Sequence, residues 1–392
     1  MSGACALAAP LINRGRFRLF AQSEREYCAL TIDLVRSSLV IDMLGLLTLD
    51  YRKLTDWQSR PDRFQAGDLR RLKTSGITVF HPAVGFVGGD IYHASLGNVM
   101  NWNAFIAAHS DDFLRVDSIA DLRRAKNANK IGVIIGLQNS EHFRTETDVD
   151  RFYSLGQRVS QLTYDRNRLG GGSSNPVDAG LTDFGARVVE RMNGVGMAID
   201  VSHCADRTTL DAIGTSSKPV LVTHSNCRSL VPGNARCKAD SAIRKMAEKG
   251  GVMGVTMVRP FVSQENSATI EEVLKHIDHI AKLVGVEHVG LGTDVDLDGR
   301  DRHPAPTRYD LDGIQYEKKV FAIVEGLVSR KYSSDSIRLI LGGNFQRALG
   351  EIFNQTITTS RSIPLGVRTR LSSETEAGLT PQRTPGPHSS LH

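Results

Sequence analysis

Two apolar runs in this 392-residue chain each end in a histidine. The run that begins at Gly196 ends at His203, and the run that begins at Pro219 reaches His224. One histidine after an apolar run is more often structural than a ligand, but two in the same position call for a shared explanation. Neutral imidazole is the commonest protein ligand for zinc and related metals. The pair therefore indicates a metal site, provided that the fold places the two ends side by side.

The surrounding sequence predicts how these ends are positioned. Continuous short apolar runs are typical of strands that are buried on both faces of a parallel sheet. Helical periodicity separates them, most clearly over 180–196 and over 269–285, where a threonine cap precedes the helix and a glycine ends it. Eight such strands are predicted, at residues 38–47, 76–84, 131–138, 158–164, 196–203, 219–225, 250–258 and 288–296.

Strand alternating with helix eight times predicts the α/β class and a closed (β/α)₈ TIM barrel. The helical segments after residue 312 are expected to pack outside it. Residues 1–25 are predicted to form an N-terminal extension and residues 26–358 the barrel domain. Residues 359–392 are rich in Ser, Thr, Pro and Arg, and this composition predicts a disordered tail because it offers little apolar area to bury.

Composition excludes several classes of partner. The net charge of +5, from 48 basic and 43 acidic residues, is small and dispersed, which is not the footprint of a nucleic-acid-binding protein. No apolar stretch is long enough to predict an integral membrane segment, and the N-terminus is a poor signal peptide. Five cysteines without a CxxC pair favour reduced thiols and a cytoplasmic location.

In a TIM barrel the active site lies at the carboxyl ends of the strands. His203, His224 and, after the eighth strand, Asp294 would meet there, and two nitrogens with one oxygen match a zinc-type catalytic site with an open position for water. Other candidates at the same face are His81, Gln138, Tyr164, Arg236 and, within the first strand, Asp42. His276 and His279, three positions apart on an outer helix, are expected on a solvated face.

Over about residues 36–355 the sequence resembles the membrane (renal) dipeptidases and their bacterial relatives. The resemblance is carried by the motifs LTYDRN, GLTDFGARVVERMNGVGMAIDVSH, PVLVTHSNCRSL, ARCKAD, GVEHVGLGTDVD and LGGNFQRAL. Members of this family are (β/α)₈ barrels that hydrolyse dipeptides at a two-zinc centre.

The resemblance implies roles for individual residues. His203 and His224 would be ligands of the second zinc, Asp294 would lie beside the metals and handle the proton, and Arg236 would bind the substrate's carboxylate. Tyr164 stands where the family has a substrate-binding histidine, so it is a candidate for substrate binding and catalysis. His81 is a further substrate-binding candidate and Gln138 a further catalytic one.

The first-zinc ligands of the family are missing from this sequence. Leu44 and Leu46 stand in place of its His-x-Asp pair, and Gln138 replaces the bridging Glu, although a neutral amide bridges two cations poorly. Glu141 or His142 could replace the bridge only after a loop shift. We therefore expect one Zn²⁺ per chain.

Two functional hypotheses follow from this ligand count. The first is a metal-dependent hydrolase that cleaves the amide bond of a dipeptide or N-acyl amino acid-like small molecule. The alternative is a catalytically diverged or inactive binding protein. The family resemblance also suggests a homodimer.

Overall fold

The computed structural model describes residues 15–19, 25–174, 177–301 and 308–353. The predicted tail at 359–392 and most of the predicted extension at 1–25 lie outside the described residues. Within them, no helix is both long enough and apolar enough to cross a membrane.

Most strands are short and parallel. Among the described strands, the first two pair antiparallel with each other and precede the barrel. The strands are β1 (Arg16–Arg18), β2 (Glu26–Cys28), β3 (Ile41–Asp42), β4 (Val79–Phe80), β5 (Phe113–Arg115), β6 (Ile131–Val133), β7 (Ile135–Leu137), β8 (Gln157–Gln161), β9 (Ala198–Asp200), β10 (Val222–Ser225), β11 (Met253–Val255) and β12 (Val289–Leu291).

These strands form the predicted TIM barrel. One sheet has the order β10-β11-β12-β3-β4-β6-β5, and a second has the order β7-β8-β9. A parallel bridge between Asp200 and Leu221 joins β9 to the start of β10, and β6 continues into β7 through Ile134. All eight predicted strands lie in this ring.

The third barrel strand changes partners at Ile134. Its first half, β6, pairs with β4 and with the additional strand β5, whereas its second half, β7, pairs with β8. The strand β5 was not predicted, because Phe113–Arg115 is too short and too polar to stand out as an apolar run.

Helices surround the barrel. They are α1 (Ala29–Ser37), α2 (Tyr51–Ser59), α3 (Ala66–Thr74), α4 (Ile91–Ala108), α5 (Ile119–Asn127), α6 (Glu146–Ser154), α7 (Asp183–Val195), α8 (Asp206–Thr215), α9 (Asp240–Glu248), α10 (Arg259–Val262), α11 (Ile270–Val284), α12 (Lys319–Ser329), α13 (Ser334–Arg338) and α14 (Asn344–Phe353). The bounds of α11 follow from its sequence. The Thr269 hydroxyl accepts from the Glu271 amide, and the Glu272 carboxylate accepts from the Thr269 amide, which satisfies free donors of the first turn.

The last barrel strand is tied to the first by a buried polar cluster. The Asp42 carboxylate in β3 accepts hydrogen bonds from the Thr293 amide (2.8 Å) and hydroxyl (2.6 Å), which follow β12. The Lys319 ammonium group, at the start of α12, lies 3.8 Å from Asp42 and donates to the Val295 carbonyl. Asp42 and Lys319 are both fully buried, so the barrel closes on a paired charge.

Candidate active site

A cavity of about 830 Å³ opens at the carboxyl ends of the barrel strands. Its walls come from the loops after several strands and from the helices α2 and α4. The predicted site residues among its lining are Gln138, Tyr164, His203 and Asp294.

The two histidines meet in this region. The Nε2 atoms of His203 and His224 are 3.0 Å apart, because β9 and β10 are neighbours in the barrel and each histidine lies near the end of its strand. The Tyr164 ring stacks on the His203 ring with centroids 4.3 Å apart and an interplanar angle of 23°. The structure thus brings together the pair that the sequence predicted.

The hydrogen bonds around His224 determine which of its nitrogens carries the proton. The Thr223 hydroxyl donates its single proton to Asp200 Oδ2 at 2.7 Å, so it accepts from His224 Nδ1 at 2.8 Å. Nδ1 is therefore protonated in neutral His224, and the lone pair is on Nε2, which faces His203. Partners of this kind orient imidazoles that bind metals.

The electrostatic environment keeps both imidazoles neutral. Burial holds the pKa of His203 and of His224 well below the ordinary histidine value, and the nearby Arg236 cation lowers both further. The Lys238 cation also lowers the pKa of His203, and Arg300 lowers that of both. Both imidazoles are therefore in the neutral form that binds a metal ion, although the surrounding positive charge acts against any cation at this place.

Asp294 lines the same cavity as His203 and is held by Arg300. The Arg300 guanidinium donates through Nη2 to Asp294 Oδ1 at 2.5 Å and through Nε to the Asp294 carbonyl at 2.7 Å. The Asp294 backbone is left-handed, with φ of 56°, a conformation that costs free energy for most residues other than glycine. Burial raises the pKa of the Asp294 carboxyl, while Arg300 and Arg236 act in the opposite direction.

The side of the cavity opposite the two histidines carries apolar side chains and polar groups that are already hydrogen-bonded within the protein. Leu44 and Leu46 are buried after β3, and Leu46 lines the cavity. The Gln138 side-chain amide donates to the Ala83 carbonyl at 2.9 Å. The proposed replacement His142 is fully buried and lies 3.1 Å from the Gln157 amide oxygen, so it does not supply the missing bridge.

Arg236 and His81 are in the mouth but point away from the open cavity. Arg236 donates to the Ser202 carbonyl (2.7 Å), the Ser225 hydroxyl (3.2 Å) and the His224 carbonyl (2.9 Å), and it is not among the residues that line the cavity. Its Nε is buried without a partner.

His81 is packed against the neighbouring strand. Its Nδ1 lies 2.6 Å from the Met43 carbonyl, and its Nε2 is buried without a partner. A Cβ at Gly136 would lie 2.0 Å from that Nε2, so the ring's position requires glycine there.

The residues present fit one metal ion better than two. The Nε2 atoms of His203 and His224 converge, and His203 and Asp294 line the same cavity. The leucine side offers no ligand, and the described residues contain no cluster of three or more His, Cys, Asp or Glu side chains arranged to hold a metal.

Two residues were missed or misjudged from the sequence, one in the cavity and one on the outer helix α11. Arg300 was not predicted, because the loop after β12 has no pattern that places it in the cavity. The expectation that His276 is solvated was wrong: its ring is fully buried, accepts from the Cys227 amide at 3.1 Å and lies 3.0 Å from the Val262 carbonyl. The apolar spacing around it on α11, with Val273, Leu274, Ile277 and Ile280 buried, was the available signal.

Comparison with known proteins identifies the family. The family model of the membrane dipeptidases, peptidase family M19, matches residues 31–362. The chain belongs to the membrane dipeptidase family. It is therefore a metallodipeptidase-like hydrolase with a TIM-barrel fold, as its sequence predicted, and this assignment favours the hydrolase over the inactive binding protein.

Individual membrane dipeptidase relatives agree with this assignment. Dipeptidase tcpJ of Claviceps purpurea (strain 20.1) is 25% identical over 344 residues, which cover 83% of this chain and 78% of that protein. Dipeptidase verJ of Clonostachys rogersoniana is 28% identical over 64% of this chain and 63% of its own length. A crystal structure of an amidohydrolase from Pseudomonas aeruginosa has a TM-score of 0.72 and 27% identity, and the match covers 83% of this chain and 99% of that one.

Proposed function

We propose that this membrane dipeptidase family member hydrolyses the amide bond of a dipeptide-like small molecule with a single zinc ion held by His203 and His224. The observation that carries the proposal is the pair of Nε2 atoms, 3.0 Å apart beside the mouth cavity, with the tautomer of His224 fixed by Thr223. Two neutral imidazoles are a common part of catalytic zinc sites. When bound, the metal would supply an activated water and polarise the carbonyl.

The remaining steps fall to the protein's own side chains. Arg300 occupies Oδ1 of Asp294, which leaves Oδ2 as the oxygen that accepts a proton from the attacking water and returns it to the leaving amine. Burial, which raises the pKa of Asp294, suits this exchange. Tyr164, stacked on His203, would form one wall of the substrate site.

The substrate's carboxylate requires a cation in the cavity. The sequence-based expectation gave this role to Arg236, but its two terminal nitrogens donate to protein oxygens. Arg300 is the only lysine or arginine among the described residues that line the cavity. We therefore assign carboxylate binding to Arg300, which keeps Nη1 for the substrate while Nε and Nη2 hold Asp294. Arg236 would stiffen the two strand ends that carry the histidines.

The test is metal analysis followed by a substrate screen. Protein refilled with zinc and desalted is expected to retain one equivalent and to hydrolyse members of a dipeptide panel. Protein that retains no zinc and turns over no dipeptide would contradict the proposal and favour the binding-protein alternative, which the missing first-zinc ligands would then explain. A homodimer and a cytoplasmic location remain predictions from the sequence.

A further inference from the structure

The mouth cavity extends away from the two histidines to a wall built by two helices. From α2 it is lined by Tyr51, Leu54, Thr55 and Gln58, and from α4 by His93, Ala94, Gly97, Asn98 and Asn101. The α2 residues and the last four of these α4 residues follow the spacing i, i+3, i+4, i+7, so each set is one continuous stripe along its helix. We call these eight residues the α2–α4 wall. The core face of α4 is a different one, with Val99, Trp102 and Phe105 buried.

The eight residues of the α2–α4 wall carry no charged side chain, although α2 has three, and His93, which lines the cavity beside them, pairs with the exposed Asp90 carboxylate. Arg52, Lys53 and Asp56 lie on other faces of α2 and are not part of the cavity lining. Uncharged polar and apolar groups together line the whole wall. Such a surface favours an uncharged ligand group, because a charged one would lose its hydration without gaining a partner.

Two amide nitrogens in the wall have no hydrogen-bond partner. Gln58 Nε2 and Asn98 Nδ2 are both buried and unpaired. An unsatisfied buried donor costs about 1–3 kcal/mol, so either side chain would be stabilised if its amide turned the nitrogen toward an oxygen acceptor in the cavity. Rotation of either amide about its last side-chain bond exchanges the positions of its nitrogen and oxygen, and this rotation brings the buried nitrogen to the cavity, where it can bond a carbonyl oxygen.

Gly97 keeps the centre of the wall open. A Cβ built there meets no atom within 4 Å, although the residue lies well inside an 18-residue helix. Glycine in a helix interior is about 1 kcal/mol less favourable than alanine. No packing neighbour requires glycine at this position, and any side chain there would occupy the cavity.

We propose that the α2–α4 wall is a substrate subsite that takes a bulky uncharged group bearing oxygen acceptors, attached to the dipeptide-like substrate. The inference rests on the proposed function, because it assumes that the reacting amide lies beside His203 and His224. A cavity of about 830 Å³ is near the upper end of the range that encloses drug-sized ligands. The wall would therefore select substituted dipeptides over small unsubstituted ones.

The experiment compares three substrates of the zinc-loaded protein. They are alanylglycine, lysylglycine, and a glutaminylglycine whose side-chain amide carries a benzyl group. We expect kcat/KM for the benzyl compound to exceed both others by about 10-fold or more, the scale expected when a few extra groups are bound in a pocket. Equal values for the benzyl compound and alanylglycine, or a preference for lysylglycine, would overturn the proposal.

A variant that fills the wall tests its position. Gly97→Leu should fold, because its side chain enters open space and leucine favours a helix more than glycine does. We expect it to reduce kcat/KM for the benzyl compound about 10-fold or more and to leave alanylglycine within about twofold. Equal losses on both substrates would overturn the proposal.

Gly214→Leu is the matched control. It lies in α8, where an added Cβ also meets no atom within 4 Å, and it is outside the cavity lining. We expect it to change neither substrate; if it lowered turnover of the benzyl compound as Gly97→Leu does, the effect would not belong to the wall and the proposal would fail.

A binding measurement separates this inference from the proposed function. The benzyl compound with a methylene in place of the scissile amide nitrogen cannot be hydrolysed, and calorimetry reports its affinity with or without zinc. Weaker binding to Gly97→Leu than to the unchanged protein supports the subsite even if no substrate is turned over. Equal binding to both proteins would overturn the subsite, whether or not dipeptides are hydrolysed.

Discussion

The two sides of the barrel mouth differ in what they offer a cation. At the ends of β9 and β10, His203 and His224 bring their Nε2 atoms within 3.0 Å, and the hydrogen bond from His224 Nδ1 to the Thr223 hydroxyl orients the second ring. At the end of β3, Leu44 and Leu46 are buried, and Gln138 after β7 is bonded to a backbone carbonyl. The difference shows that the two sides of the cavity can differ in chemistry within one fold, because separate strands position each side.

The largest loss of zinc binding and activity is expected when either histidine is replaced. His203→Ala or His224→Ala removes one of only two converging nitrogens, so retained zinc and hydrolysis should both fall more than about 100-fold, beyond what loss of an outer hydrogen-bond partner costs. Zinc content after desalting and kcat/KM measure this. His279→Ala, on the outer helix α11, is the control and should change neither. A variant that keeps its zinc would place the metal elsewhere.

Metal ligands can also be introduced on the side of the cavity that has the two leucines. We expect the combined change Leu44→His, Leu46→Asp and Gln138→Glu to raise retained zinc from one equivalent to two, because it restores nitrogen and oxygen donors and an anionic bridge. Gln138→Glu alone should leave the value at one. Elemental analysis decides, with circular dichroism to verify folding. Two equivalents in the unchanged protein would contradict the ligand count.

The two arginines of the mouth should respond differently to removal. Arg236→Ala removes the donors that Arg236 supplies to the buried Ser202 and His224 carbonyls, so we expect it to lower the free energy of unfolding by about 2–5 kcal/mol, measured in urea. Arg300→Met should instead raise KM about 10- to 100-fold for a substrate with a free carboxylate and far less for its amide, as expected when one member of a desolvated charge pair is lost.

Arg308→Met is the control for the second variant, because Arg308 forms an exposed ion pair with Asp312 outside the cavity lining. The ratio to compare is the KM of the free acid divided by the KM of its amide. If Arg236→Ala changed this ratio and Arg300→Met did not, carboxylate binding would belong to Arg236 and not to Arg300.

The smallest expected effect is on the pH dependence of stability, and it comes from a buried histidine on the outer helix α11. Burial lowers the pKa of His276 to about 4, and its neutral ring accepts from the Cys227 amide. Because the unfolded chain binds this proton more readily, the stability contribution is complete above pH 6.5 and is lost as the pH falls toward 4. Between pH 7 and pH 5 this residue should reduce the free energy of unfolding by about 2 kcal/mol.

His276→Gln keeps a donor and an acceptor without titrating, so its urea midpoint should depend less on pH than that of the unchanged protein. Identical pH dependence in the two proteins would show that the ring titrates normally.

The barrel and half of its site could be predicted from the sequence because they depend on local patterns. Apolar runs locate the strands, and strand ends locate His203 and His224. Arg300 could not be predicted, because its place in the cavity depends on the path of a loop. The direction of the Arg236 guanidinium is equally nonlocal, since it depends on the carbonyls of two strand ends.

The bond between Asp42 and Thr293 has a consequence for how the chain is made. These residues are 251 positions apart, and Lys319 emerges later still. At a synthesis rate of 5–20 residues per second, roughly 10–50 s pass between the synthesis of β3 and that of β12, and until then the edge of β3 that pairs with β12 has no partner strand. During that time the ribosome carries an incomplete barrel whose exposed strand can pair with other chains. Nascent chains that end before Lys319 also lack the cation that neutralises Asp42, so chaperone dependence should be greatest for those lengths.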